Sequence, residues 1–71
     1  MNKKYFYTLK RNGKFINENY MKGDTDNIKE AIKFNNEQDV LNYWEQPCTK
    51  LMRKEYDIKI IEVECILREY N

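Results

Sequence analysis

The pair Asn12-Gly13 constrains this chain more than any other feature, because it separates two segments that are rich in aromatic and β-forming residues. Asn-Gly is the preferred centre of a two-residue type I′ turn, in which both residues have positive φ. The sequence therefore predicts a β-hairpin with a fixed register. Three pairs then face each other on the better core face: Leu9 with Ile16, Tyr7 with Glu18, and Tyr5 with Tyr20. The other face carries Phe6, Thr8, Lys10, Phe15, Asn17 and Asn19.

The middle of the chain predicts one main helix. Asn36 can cap it, and the acidic residues that follow complement the positive end of the helix dipole. Val40, Tyr43 and Trp44 form its apolar stripe. Pro47 ends the helix near Glu45, or else opens a following turn that carries Leu51 and Met52 inward. Residues 28–34 fit either a short helix or a third strand ending at Phe34, and the strand is favoured.

The last segment, Asp57 to Glu69, predicts a long strand because apolar residues alternate along it. One face carries Ile61, Val63, Cys65 and Leu67, and the other carries Ile58, Ile60, Glu62, Glu64, Ile66 and Arg68. The predicted fold is a single α+β domain over residues 1–71. It is a small antiparallel sheet of three to four strands with one main helix packed on one face.

Several sequence features argue against catalysis and against a cofactor. The chain contains no serine and no histidine, so Ser–His–Asp and Cys–His sites cannot form. Two glycines are too few for a phosphate-binding loop, and two cysteines without histidine do not make a structural zinc site. The carboxylate pairs Glu62/Glu64 and Asp24/Asp26 fit a solvated strand face and a turn better than an active site. Cys48 fits an inert thiol, since no base or second cysteine is near it in sequence.

The chain shows neither a signal-peptide apolar segment nor a stretch long enough to span a bilayer. We therefore expect a cytoplasmic protein with reduced thiols, no metal and no cofactor.

A surface that binds a protein is the favoured function, because one helix cannot cover both faces of the sheet. The candidate interaction residues are the apolar residues left on the second face and the acids of the helix: Phe6, Phe15, Ile60, Ile66, Glu37, Asp39 and Glu45. A homodimer would add buried apolar area to the small core of a domain of this size.

Two alternatives remain open at this stage. The first is nucleic-acid binding by the basic aromatic hairpin, through Lys4, Lys10, Arg11 and Lys14. The second is a small-ligand site, of the sponge type, formed at a dimer interface.

The succession of elements also carries a resemblance. The aromatic hairpin with Asn12-Gly13 is followed by Ala31-x-x-Phe34, by an acidic helix through Val40 and Trp44, and by the run Ile61-Glu62-Val63-Glu64. This layout resembles small phage and prophage accessory proteins of low-GC Gram-positive bacteria, many of which have no known function. The resemblance implies a mobile-element protein that acts by binding, such as an inhibitor of a host or defence protein in the host cytoplasm.

Overall fold

The computed structural model describes residues 2–67, and the side chains of residues 4–65. Its strands are β1 (Asn2–Arg11), β2 (Lys14–Phe15) and β3 (Ile58–Leu67), and its helices are α1 (Glu37–Trp44) and α2 (Pro47–Glu55). The strands form one antiparallel sheet in the order β2-β1-β3. The predicted α+β fold is confirmed. Within the described range, neither helix has the length and apolar character needed to cross a bilayer.

The hairpin turn has the predicted geometry. Asn12 and Gly13 have φ values of 51° and 87°, as a type I′ turn requires. The Ile16 backbone N–H donates to the Leu9 carbonyl at 3.0 Å, which confirms the predicted register next to the turn. Asn12 also ties the turn to the start of β3, because its side-chain oxygen accepts from the Asp57 N–H at 2.9 Å.

The hairpin is shorter than predicted, so the predicted pairing of Tyr7 with Glu18 and of Tyr5 with Tyr20 is wrong. β2 ends at Phe15, and the chain then bends away from β1. The cause is local: the side-chain oxygen of Asn17 accepts from the Asn19 N–H at 2.9 Å, and the side-chain oxygen of Asn19 accepts from the Met21 N–H at 3.0 Å. Such asparagine turns compete with the strand ladder for backbone donors.

Residues 28–34 form neither a full strand nor an α-helix. Ile28–Glu30 is a single 3-10 turn, which Asn27 caps by accepting from the Lys29 N–H at 3.0 Å. In place of the strand predicted up to Phe34, this segment forms only isolated β-bridges. Phe34 exchanges two backbone hydrogen bonds with Tyr7, at 2.9 and 2.8 Å, and so occupies the position beside β1 that was predicted for Glu18.

The two helices meet at Pro47. Asn36 caps α1 by accepting from the Asp39 N–H at 2.8 Å, as predicted. Pro47 occupies the first turn of α2, where its missing N–H costs nothing. The turn predicted after Pro47 is therefore a nine-residue second helix. Met52 packs against the core as predicted, whereas Leu51 is 64% exposed, so its predicted inward position is wrong.

The core lies on the predicted face of the sheet. Leu9 and Val40 are fully buried and Ile58 is nearly so, and α1 and α2 supply residues around them. The partly buried residues packed against this centre are Tyr7, Ile16, Phe34, Tyr43, Trp44, Met52 and Ile60. Both helices therefore cover the face of β1 that carries Leu9.

The register of β3 corrects one prediction about its faces. Ile60 lies directly opposite Leu9, and residues opposite each other in an antiparallel pair share a face. Ile60 therefore belongs to the core face, and the prediction that it shares a face with Phe6 and Phe15 is wrong. The side chain of Ile66 and residues 68–69 of the predicted strand lie outside the described residues.

The sheet is long and narrow. On the side of β1 that faces β2, the last paired residue is Tyr7, which bridges to Phe34. On the other side, the ladder with β3 continues to the pair Asn2 and Leu67. The molecule measures 49 × 24 × 18 Å, and its radius of gyration of 13.6 Å exceeds the roughly 11 Å of a compact chain of this length. One end of the sheet is thus a two-stranded ribbon.

Candidate functional site

We call the face of the sheet opposite the helices the open face. The register of the three strands places nine described side chains on it: Lys4, Phe6, Thr8, Lys10, Phe15, Lys59, Ile61, Val63 and Cys65. Neither helix packs on this side, because both contribute to the core around Leu9. The open face is therefore the side of the sheet that neither helix covers.

The centre of the open face is apolar. Phe6 lies directly opposite Val63, and Ile61 lies in the next row along β3. All three are partly exposed, as is Cys65. The face is interrupted at Thr8, which is fully buried between Phe6 and Lys10 on β1, and Ala31 in the loop after β2 is also fully buried. The exposed apolar area thus follows the β1–β3 ribbon.

Among the nine side chains of the open face, every charged one is a lysine. Lys10 and Lys59 lie directly opposite each other, an arrangement that is unfavourable for two like charges. The Lys10 ammonium sits 4.9 Å from the centre of the Phe15 ring, and the Lys59 ammonium lies 3.9 Å from the exposed carboxylate of Asp57. An acidic group bound between the two lysines would relieve their repulsion.

The basic residues of the nucleic-acid alternative are divided between two surfaces. Lys4 and Lys10 lie on the open face, but Arg11 and Lys14 pair on the opposite side of the sheet. Arg11 makes a two-bond ion pair with Asp24, with distances of 2.9 Å from Nε and 2.6 Å from Nη2. Lys14 lies 4.0 Å from Asp26. The structure does not bring these four cations together.

The protein-interaction candidates are also divided. Phe6 and Phe15 lie on the open face, whereas Ile60 packs against the core. The acids belong to the helical layer: Glu37 and Asp39 are exposed in the first turn of α1, and Glu45 lies 3.4 Å from Lys50. Sequence reasoning missed Lys59, Ile61 and Val63. Their alternation is visible in the sequence, but only the register with β1 shows which face they occupy.

The Arg11–Asp24 ion pair holds the loop after β2 against the sheet. It is half-buried, and the Arg11 guanidinium also approaches the Met52 sulfur at 3.5 Å and the Tyr56 ring at 5.5 Å. The hydrogen bond from Arg11 lowers the pKa of Asp24 and, reciprocally, raises the pKa of Arg11. A cleft of about 400 Å³ opens beside the pair. Arg11 and Asp24 neutralise each other, so neither offers an unpaired charge to a ligand in the cleft. The ion pair therefore has a structural role: it fixes the loop after β2 to the sheet.

Replacing Asp24 with asparagine is expected to lower the free energy of unfolding by about 1–2 kcal/mol near neutral pH, because half-buried Arg11 loses its ionic partner. The folded-state pKa of Asp24 is depressed. Its contribution is therefore complete above the unfolded pKa, near 3.8, and disappears as pH falls through the folded pKa.

Urea unfolding of the wild type and of Asp24→Asn should thus converge as the pH falls below about 4. Asp26→Asn is the matched control, because the Asp26 side chain is 82% exposed and its contact with Lys14 is long. We expect that control to stay within about 0.5 kcal/mol of the wild type. An Asp24→Asn effect that is the same at pH 7 and in acid would contradict the role of the charge.

The residues considered for catalysis lie on separate elements, apart from the pairs Glu62/Glu64 on β3 and Asp24/Asp26 in the loop after β2. Desolvation raises the pKa of Tyr7, and so does the Glu62 carboxylate, which accepts from the Tyr7 hydroxyl at 3.3 Å. Cys48 is exposed at the start of α2, whereas Cys65 lies on the open face. Within residues 2–67 no three acidic or cysteine side chains are grouped as a metal site would require.

No known protein family, curated protein or solved structure matches this chain.

Proposed function

We propose that this chain is a non-enzymatic binding module whose open face docks onto a protein partner. The observation that carries the proposal is the composition of that face: an apolar centre at Phe6, Ile61 and Val63, three lysines around it, and no helix over it. Partly exposed apolar area of this kind on a small domain is typical of an interface. The resemblance to phage and prophage accessory proteins supports a host or defence protein as the partner.

The chemistry of the open face also describes the partner. Two opposed lysines, Lys10 and Lys59, favour an acidic group at one end, and Lys4 favours another at the far end. Between them, the apolar centre favours a patch of aliphatic or aromatic side chains. An apolar core with charged residues at its rim is the usual anatomy of a protein–protein interface. Complementary rim charges would speed association and fix the orientation of the two proteins.

A protein partner fits this face better than single-stranded nucleic acid does. Bases stack on exposed aromatic ring faces. Here the Phe15 ring is already approached by the Lys10 ammonium at 4.9 Å, and Phe6 is only partly exposed. Arg11 and Lys14, which would have completed a basic groove, form ion pairs on the other side of the sheet.

Reversing the two opposed lysines, in Lys10→Glu with Lys59→Glu, is expected to weaken capture of the partner at least tenfold. Immobilised protein would be exposed to a lysate of a low-GC Gram-positive bacterium, and each captured protein would be quantified by mass spectrometry. The fold should tolerate the change, because one like-charge pair replaces another.

The matched control is Lys50→Glu with Lys54→Glu, which makes the same change in net charge on α2. It should leave capture unchanged. Equal loss in both double variants would contradict a specific role for the open face. Tight, salt-sensitive binding of a short single-stranded oligo-dT by the wild type, without a captured protein, would favour the nucleic-acid alternative.

A further inference from the structure

The loop after β2 carries the two most exposed large apolar side chains among the described residues. Tyr20 is 90% exposed and Met21 is 79% exposed. They are the central residues of a tight turn, which the Lys22 N–H closes by donating to the Asn19 carbonyl at 2.9 Å. Large apolar side chains that project together into solvent are typical of a contact surface. We call Tyr20 and Met21 the exposed turn.

Hydrogen bonds hold the exposed turn in one conformation. At the base of the loop, Phe15 and Thr25 exchange two backbone hydrogen bonds, at 2.8 and 2.9 Å. Nearer the tip, the Asn17 side chain donates across the loop to the Gly23 carbonyl at 3.3 Å. A loop that is already ordered loses little conformational entropy when it binds. The exposed turn is therefore suited to insertion into a complementary surface.

The cleft of about 400 Å³ beside the Arg11–Asp24 ion pair is such a surface. Ligand sites of this volume enclose molecules larger than one aromatic side chain. An aromatic ring with one polar end suits the cleft, because the ring can contact apolar walls while its hydroxyl reaches the ion pair. The apolar walls are four partly buried residues: Ile16, Ile32, Tyr43 and Met52.

The exposed turn and the cleft are adjacent, since Tyr20 also lines the cleft. One surface thus carries both a projecting side chain and a space that can receive it. When two copies meet about a two-fold axis, the same surface patch of each contacts that of the other. Each Tyr20 can then enter the cleft of the other copy, so the surface is complementary to itself.

The charges beside the cleft are also complementary to themselves. Glu18 and Lys22 both line the cleft and are exposed. Neither side chain forms an ion pair with another residue of the described chain. Every contact across a two-fold axis forms twice with the roles exchanged. Lys22 of each copy can therefore pair with Glu18 of the other.

We propose that this surface is the contact of a two-fold symmetric homodimer, in which Tyr20 of each copy enters the cleft of the other. Met21 extends the apolar contact, and two ion pairs between Lys22 and Glu18 fix the orientation of the copies. The contact is small, so the dimer is weak and forms as the protein concentration rises. The cleft contacts both helices through Tyr43 and Met52, so dimerisation leaves the open faces on the other side of each sheet uncovered.

Sedimentation velocity of the full chain over about 10–500 μM tests the dimer, because the population of a dimer depends on concentration. The wild type is expected to pass from monomer to dimer, and Tyr20→Ala to raise the dissociation constant at least tenfold. Leu51→Ala is the matched control, since Leu51 is exposed on α2 and does not line the cleft. It should dimerise as the wild type does. A wild type that stays monomeric, or an unchanged Tyr20→Ala dimer, would overturn the proposal.

Two charge variants test which residues meet across the dimer. Lys22→Glu and Glu18→Lys each set like charges opposite each other, so each alone is expected to dimerise at least tenfold more weakly. Their equal mixture restores opposite charges at both contacts and is expected to form a heterodimer about as readily as the wild type dimerises. Lys54→Glu, on α2 outside the cleft, should dimerise normally. A mixture that stays monomeric would contradict the pairing and overturn the proposal.

The homodimer is independent of the proposed function, and the two fail separately. If the wild type is a monomer, loss of capture in Lys10→Glu with Lys59→Glu would leave the proposed function standing. A dimer that Phe6→Ala dissociates and Tyr20→Ala does not would mean that the second copy occupies the open face. Loss of a captured protein in Tyr20→Ala, with a monomeric wild type, would mean that another protein occupies the cleft. Either result would overturn the homodimer proposed here.

Discussion

Replacing Leu9 with alanine is expected to lower the free energy of unfolding by about 2–5 kcal/mol, which is the range for truncating a fully buried leucine. Leu9 has no exposed surface and contacts the core from the central strand of the sheet. A chain of this size has a total stability of only about 4–10 kcal/mol. The substitution should therefore remove a large share of the total stability.

Urea titration followed by the fluorescence of Trp44 would measure this loss. Trp44 is the only tryptophan, and it packs at the edge of the core with the Arg53 guanidinium 4.4 Å from its ring. Leu51→Ala is the matched control, because Leu51 is 64% exposed on α2. That control should change stability by about 0.5 kcal/mol or less. A Leu9→Ala variant as stable as Leu51→Ala would mean that the core is elsewhere.

Replacing Phe6 with alanine is expected to weaken binding of the protein partner about 30-fold, which corresponds to roughly 2 kcal/mol and is typical of an aromatic residue at the centre of an interface. Phe6 lies on the central strand opposite Val63, in the middle of the apolar part of the open face. Its ring is partly exposed in the single chain, so docking would bury the remaining area.

The captured partner, once purified, would be titrated by calorimetry against the wild type and Phe6→Ala. Tyr20→Ala provides the control, since it removes a larger aromatic side chain that is 90% exposed in the loop after β2. It should bind as the wild type does. Circular dichroism would check that Phe6→Ala keeps the fold. Undiminished affinity of a folded Phe6→Ala variant would remove the open face from the interface.

The sequence predicts those parts of the fold that depend on neighbouring residues. The turn at Asn12 and Gly13 and the cap at Asn36 are local, because the chemistry of two to four residues decides each of them. The predicted length of β2 is wrong because Asn17 and Asn19 are not strand residues. Their side-chain oxygens accept hydrogen bonds from nearby backbone N–H groups, and these bonds bend the chain away from β1. The second helix was only partly predicted, since Pro47 fits both a helix end and a helix start.

The candidate site was harder to predict because it depends on contacts between distant segments. Alternation along β3 sorts its residues into two rows, but it does not say which row meets Leu9. The turn at Asn12, which also binds Asp57, sets that register, and it assigns Ile60 to the core and Ile61 to the open face. The Arg11–Asp24 ion pair likewise joins residues from different segments, so the sequence left Arg11 among the candidates for nucleic-acid binding.

Site-specific photo-crosslinking tests the central claim most directly, because it reports which surface the partner covers. A benzophenone amino acid would replace Phe6 or Val63 on the open face, and Leu51 on the helical side, in separate variants incubated with the bacterial lysate. We expect the same partner protein to be crosslinked from positions 6 and 63 and not from position 51. Crosslinks to that protein from position 51 alone would contradict the account.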